Sequence, residues 1–286
     1  KGGRVMSRTI LSGVVLLTFV GPLGLLARAS ERPGGEPVAP SEARLLTDPA
    51  ALVSVMHANN EIGAVQDVAR IAAIAHEGGA AFHTDAVQSL GALPIDVKEI
   101  GCDLLSISAH KVYGPKGVGA LYARSGAKLE PLFFGGAQER ERRPGTENVA
   151  GIVGFGKAAE LAVARREEDV ARLGALRARF VSMMKETIEG LRINGPECGG
   201  LPGIVNVSIR GVDAAMALLA LDRAGIGASS GSACSSGSIE PSHVLKAIGL
   251  PEEYTGGLRF SLGRATTEDD LLHAARESAA LDAQLD

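Results

Sequence analysis

From Ala51 onward, short apolar runs alternate with longer stretches in which apolar residues recur at helical spacing. The run "ALVSVM" is rich in β-formers. "VQDVARIAAIAHEGG" repeats apolar residues on one helical face and stops at a glycine pair, which predicts a helix. "AAFHTD", "DLLSIS" and "GVGALYAR" are three further strand-like runs. Such alternation predicts an α/β fold: a mostly parallel sheet covered by helices, with ligands gathering at the carboxyl ends of the strands.

Further along, "NVAGIVGFGKAAELAVARREEDVARLGALRARFVSMMKETIEG" reads as one or two long helices leading into a smaller α/β region. "GIVNVSIRG", "DAAMALLALDRAG" and "GLRFSLGR" supply that region, with a last helix starting after Thr267, whose capping partner Asp270 stands three residues on. The expected organisation is an atypical segment at 1–49, a larger domain at 50–150, and linking helices with a smaller C-terminal domain at 151–286. There is no internal repeat.

The first fifty residues break the pattern. "MSRTILSGVVLLTFVGPLGLLARAS" has a basic start, an apolar core from Ile10 to Ala27 and an A-x-A at Ala27 to Ala29, the layout of a secretory signal or short membrane anchor. "SERPGGEPVAPSEA" then reads as a linker. The remainder has the features of a cytoplasmic protein, so the rival expectation is a truncated or misread start joined to a chain whose own beginning is lost.

Composition narrows the function. With 286 residues, 45% of them hydrophobic, the chain can bury a large core or two modest ones. A net charge of −4 and the lack of any Lys/Arg block argue against nucleic acid as the main ligand. The three cysteines, Cys102, Cys198 and Cys234, are odd in number and lack C-x-x-C spacing, which points to neither a disulfide framework nor a zinc site and suits a reducing compartment.

Three strand exits carry polar chemistry: "MHANNEIG", "HTDAVQ" and "SAHK". Ser108 and His110 share one side of an extended run, and Lys111 leaves it in another direction. If the chain turns helical after Asp85, Gln88 falls near the same face. A carboxylate, an amide, a hydroxyl and an amine could thus converge on a flat polar ligand. Each also has an ordinary reading: Lys111 as a solvated charge, Asp85 as a helix N-cap, His110 as a structural histidine. Their joint placement favours a site. A Schiff-base lysine, an acid facing a ring nitrogen, and donors to a phenolic oxygen and a phosphate are what pyridoxal 5'-phosphate requires.

"VMHANNEIG", "HTDAVQ", "SAHKVYGPKG", "RPGTENV", "SSGSACSSGSIEPSHVL" and "LRFSLGR" follow one another in the order of a known family. From about Ala51 to its end the chain resembles a cysteine desulfurase of the class V aminotransferase family, a pyridoxal-phosphate-dependent group. The resemblance implies that family's fold, a mostly parallel sheet domain plus a smaller α/β domain. It also implies roles. Lys111 would carry the Schiff base and move the α-proton; Asp85 would pair with the pyridine nitrogen; Gln88 would donate to the phenolic oxygen; Ser108 and His110 would serve the phosphate. Asn60 would sit near cofactor and substrate, and Arg259 would hold the substrate carboxylate. Thr146 would reach the cofactor phosphate of a partner subunit, implying a homodimer, whereas Arg142 and Arg143 read equally well as solvated charges.

Cys234 lies in the Gly/Ser tract "ASSGSACSSGSIEPS", which reads as a flexible loop. By the resemblance it would attack the sulfur of L-cysteine, leaving alanine and a persulfide for a sulfur-acceptor protein of iron–sulfur assembly or tRNA thiolation. Cys102 and Cys198 keep the ordinary reading of inert thiols. Family members carry roughly a hundred more residues before the "VSVMH" strand, so the fold is expected to be incomplete at its N-terminus. The alternatives are a selenocysteine lyase or another class V lyase, and a non-catalytic remnant of the fold.

Overall fold

The computed structural model describes residues 10–11, 14–16, 50–231 and 242–282. Two sheets organise them. The first has six strands in chain order: β1 (Ile10–Leu11), β2 (Val14–Leu16), β3 (Leu52–Met56), β4 (Ala81–Asp85), β5 (Leu104–Ser108) and β6 (Gly119–Ala123). The pairs β2 to β3, β3 to β4 and β4 to β5 are parallel. β1 and β6 close the sheet as antiparallel edges.

The expected parallel sheet is therefore present, with a limit at β6. Only the stretch 109–118 joins β5 to β6, and a parallel crossover needs a dozen residues or more, so the chain returns antiparallel. Of the signal-like stretch, Ile10–Leu11 and Val14–Leu16 pair as strands; the rest of residues 1–49 lies outside the described residues. Among the described residues no helix is long and apolar enough to cross a membrane.

Strand alternation sorts the first sheet into two faces. Val53, Val55, Phe82, Thr84 and Leu105 are buried on one of them. Helix α1 (Val68–Glu77), the crossover between β3 and β4, covers that face with Val68, Ile71, Ala72 and Ala75. Asp67 caps α1 by accepting from the Arg70 N–H at 3.1 Å, and the helix ends at Gly78. The short α2 (Val97–Ile100) adds Ile100 to the same core. The opposite face carries Ser54, Met56, His83, Asp85, Ser106 and Ser108, half-buried and mostly polar.

Asp103 ties the base of this sheet together. Its carboxylate accepts from the Phe82 N–H at 2.7 Å and meets His76 Nε2 at 2.8 Å and the Arg124 guanidinium. Burial pushes the Asp103 carboxyl up, but those three partners outweigh it and hold it below the usual range.

A short turn α3 (Gln138–Glu141) precedes two long helices, α4 (Val149–Ala164) and α5 (Arg166–Thr187), as the apolar pattern predicted. They lead to an antiparallel sheet of β7 (Leu191–Ile193), β8 (Ile204–Ile209) and β9 (Leu258–Ser261) in that order. α5, α6 (Ala214–Arg223) and α8 (Glu268–Asp282) pack around it, with Phe180, Met184, Leu221 and Leu271 against Val205, Val207 and Phe260. Phe180 meets Phe260 edge-on at 5.1 Å. The Thr267 and Asp270 pair caps α8 reciprocally, Thr267 N to Asp270 Oδ2 at 2.8 Å and Asp270 N to Thr267 Oγ1 at 3.2 Å. A short α7 (His243–Ala247), capped by Ser242, covers the loop after β3.

Candidate active site between the two sheets

The parallel strands end in register, with Met56 opposite Asp85 and Asp85 opposite Ser106. Three loops leave from this line. After β3, the Asn59 side chain accepts from the Glu61 and Ile62 N–H groups at 2.8 and 3.0 Å, folding "ANNEIG" into a tight turn that leaves Asn60 half-buried. After β4, Asp85 Oδ1 accepts from the Val87 N–H at 2.9 Å, and Ser89 and Leu90 N–H both donate to the Ala86 carbonyl. The chain thus makes a single turn there rather than a regular helix, and Gln88 sits in that turn.

After β5 the chain enters a 3₁₀ turn, Ala109–Val112. Ala109 and Val112 are buried against Phe155 and Ala162 of α4, which leaves His110 and Lys111 exposed. Ser108 Oγ and His110 Nδ1 are 2.7 Å apart. The turn closes on Tyr113 at φ 65°, the left-handed region, which costs a bulky residue on the order of 1–3 kcal/mol. The next residue must be small: a Cβ at Gly114 would stand 2.9 Å from the Ala109 carbonyl.

The second sheet completes the site from the other side. A cleft of about 390 Å³ lies between the sheets, and Asn60, Gln88, Lys111 and Arg259 all reach it. Arg259 on β9 donates from Nη1 to the Asn60 carbonyl at 3.1 Å, while its Nε, like Glu61 Oε2, is buried with no hydrogen-bond partner among the described residues. Burial pulls the guanidinium pKa below its ordinary value, and the Glu61 carboxylate opposes the shift. Asp85 and Ser108 on the polar face of the first sheet, and His110 in the 3₁₀ turn after β5, do not line the cleft.

Thr146 does not line the cleft either. It is exposed ahead of α4. Cys234 lies outside the described residues, which stop at Gly231 and resume at Ser242. The chain bordering that segment is tied to the site, because Ser229 and Arg259 exchange backbone hydrogen bonds of 3.1 and 2.6 Å. A Cβ at Gly231 would be 3.3 Å from Glu61 Oε2 and 3.4 Å from Ser242 Cβ, so both borders meet beside Glu61.

Several polar residues escaped the reading of the sequence. His83 lies between Ser54 Oγ at 2.7 Å and Ser106 Oγ at 2.9 Å, a chain of three side chains across β3, β4 and β5. Burial pulls its pKa down, against the raising effect of the Asp85 carboxylate. Tyr113, Arg264 and Asp169 also line the cleft. Their types carry no local signal; "SAHKVYGPKG" and "LRFSLGR" contain two of them, but only the fold brings the two stretches together.

Comparison with known proteins places this arrangement. The model of the aminotransferase class-V family matches residues 33–273. The chain belongs to that family. It is 52% identical over 221 residues to the cysteine desulfurase IscS of Dictyoglomus turgidum, covering 77% of this chain and 56% of that protein. The cysteine desulfurase IscS of Methanosarcina thermophila is 51% identical over 236 residues, 82% of this chain and 58% of that one. The chain therefore spans somewhat more than half the length of these class-V relatives. Among solved structures, the NifS-like protein of Rickettsia africae superposes with a TM-score of 0.76 at 33% identity, covering 84% of this chain and 64% of that one. DndA of Streptomyces lividans gives 0.64 at 36% identity, with 77% and 63% covered.

The donor set suits pyridoxal phosphate. An exposed lysine amine, a carboxylate ending the middle strand, a side-chain amide one turn on and a hydroxyl–imidazole pair lie at the exits of two adjacent strands, β4 and β5. That is the complement an amine-reactive aromatic phosphate demands.

Proposed function

We propose that this chain carries the catalytic residues of a pyridoxal-phosphate-dependent cysteine desulfurase, which takes sulfur from L-cysteine, releases L-alanine and holds the sulfur as a persulfide. The observation that carries this reading is the cleft between the sheets, where Lys111 and Gln88 from one side face Arg259 from the other. A site with a reactive amine at one end and a carboxylate receptor at the other fits an α-amino acid.

Pyridoxal phosphate, when bound, supplies an aldehyde that captures amines and a ring that stores electron density. Lys111 would hold the group through that aldehyde and would take and return the substrate's α-proton. Asp85 would keep the ring nitrogen positively charged, Gln88 would donate to the phenolic oxygen, and Ser108 with His110 would serve the phosphate. Asn60 would border both cofactor and substrate, and the Arg259 guanidinium would take the substrate carboxylate. The Cys234 thiolate attacks the substrate sulfur, forming an S–S bond as the C–S bond breaks. The carbon keeps that electron pair, gains a proton and leaves as alanine. Cysteine and enzyme thiol thus give alanine and enzyme persulfide, with no outside oxidant.

The same reading includes a homodimer with Thr146 serving the partner's site, a sulfur-acceptor protein, and a cytoplasmic location, where Cys234 stays reduced. It also treats residues 50–150 as the cofactor-binding part and 151–286 as the smaller one. The test is Cys234→Ala in the cofactor-loaded chain. Persulfide formation and alanine release should both be lost while the absorbance of bound cofactor persists. Alanine release that survives the substitution would instead indicate a lyase needing no enzyme thiol, of the selenocysteine lyase kind.

A further inference from the structure

Tyr113 holds a conformation that a bulky residue avoids, at φ 65°, two residues after Lys111. Its side chain reaches to the other sheet's side of the cleft. The Tyr113 hydroxyl accepts from the Arg264 N–H at 2.9 Å, and the Arg264 guanidinium lies 4.6 Å from the centre of its ring. Arg264 Nε in turn pairs with Asp169 of α5 at 3.0 Å. Arg172, one helical turn along α5, donates to the Gly263, Arg264 and Thr266 carbonyls at 2.9, 3.1 and 3.1 Å, which makes the turn after β9 rigid. Arg259 stands on β9 only five residues before Arg264.

Lys111 and Arg259 therefore sit on two rigid pieces that Tyr113 bolts together. Resting on the amino-acid reading given above, we infer that Tyr113 is a positioning residue that fixes the span between the Lys111 amine and the Arg259 guanidinium, and so selects substrates carrying an α-carboxylate. The inference explains the strained backbone: a glycine would adopt that φ freely but could not reach Arg264. In this role Tyr113, itself in the cleft wall, acts through the placement of Arg259. Misplacement of a carboxylate receptor by an ångström is enough to lose most of its effect.

The test uses two stable probes on the full chain, N-phosphopyridoxyl-L-alanine and N-phosphopyridoxyl-ethylamine, which differ only in the carboxylate. Their dissociation constants are measured by calorimetry, with a urea unfolding curve for each variant. In the unsubstituted chain the carboxylate should tighten binding by about 10- to 100-fold, the effect of one charge-assisted pair. Tyr113→Gly, freed of backbone strain, should keep its urea midpoint and its affinity for the ethylamine probe, while the preference for the alanine probe falls by roughly tenfold. Tyr113→Phe retains the ring under Arg264 but not the hydroxyl, and should lose about threefold of that preference. An undiminished preference in Tyr113→Gly overturns the assignment; should that variant not fold, an undiminished preference in Tyr113→Phe does so. If the unsubstituted chain binds both probes equally, the reading of Arg259 as a carboxylate receptor falls, and this assignment with it.

Discussion

Asn206 and Arg259 face each other across the β8 to β9 pair and grip two consecutive carbonyls of the loop after β3. Asn206 Nδ2 donates to the Glu61 carbonyl at 3.1 Å, and Arg259 Nη1 donates to the Asn60 carbonyl at 3.1 Å. The second sheet thus holds the Asn60 loop of the first by adjacent rungs, and the cleft is the gap beside this joint. Asn206 is buried, and its Oδ1 also accepts from Asn194 Nδ2 at 2.9 Å.

Asn206→Ala should therefore leave a buried carbonyl and a buried amide short of a partner. We expect a loss of about 1–3 kcal/mol in urea unfolding, the cost of an unmet buried polar group. Asn206→Asp should be at least as harmful, because a carboxylate cannot donate to the Glu61 carbonyl. An unchanged midpoint in both would show that the joint does not contribute to stability.

Lys111→Ala removes the only amine of the 3₁₀ turn without disturbing its buried anchors, Ala109 and Val112. On the proposed function the variant should fold with an unchanged urea midpoint but fail to take up the yellow colour of lysine-bound pyridoxal phosphate. Retention of that colour after dialysis would move the attachment to another lysine.

Acid should destabilise the fold in two stages. Burial lowers the pKa of both His57 and His83 from about 6.5, so each prefers to stay neutral in the folded chain. The unfolded chain then binds the extra protons, and the stabilisation, complete above about pH 6.5, is lost as pH falls below it. Asp103, held below its usual value, adds a second loss as pH falls through its folded pKa, beneath about 3.8. His83→Gln should flatten the first stage in a series of thermal melts against pH; a slope unaltered by His83→Gln and His57→Gln together would contradict it.

Phe180→Ala should cost about 3–5 kcal/mol, since Phe180 is fully buried and its edge contact with Phe260 is lost as well. Because its neighbours belong to the core of the second sheet, the loss should appear in that sheet first. Hydrogen exchange resolved by segment would show protection falling at β8 and α5 ahead of β4 and α1.

How much of this was legible in the chain differs by element. The strands around "ALVSVM", "AAFHTD" and "DLLSIS", helix α1 and the Thr267 cap follow from local pattern, because side-chain periodicity and a capping pair act within a few residues. Lys111, Asp85, Gln88 and Asn60 could be singled out as polar residues at strand exits, since parallel strands necessarily bring their carboxyl ends to one edge. The antiparallel return of β6 needed only the length of a connection, yet strand-like composition does not reveal direction. What no local pattern could supply is the pairing of distant stretches. Arg259 reaches Asn60 across 199 positions and Arg264 reaches Tyr113 across 151, contacts that exist only once two separately cored sheets have docked. The sequence by itself determined which residues could do the chemistry, through residue type and the periodicity of single elements; tertiary structure decided the distances between them, because those depend on how buried apolar faces far apart in the chain pack against one another.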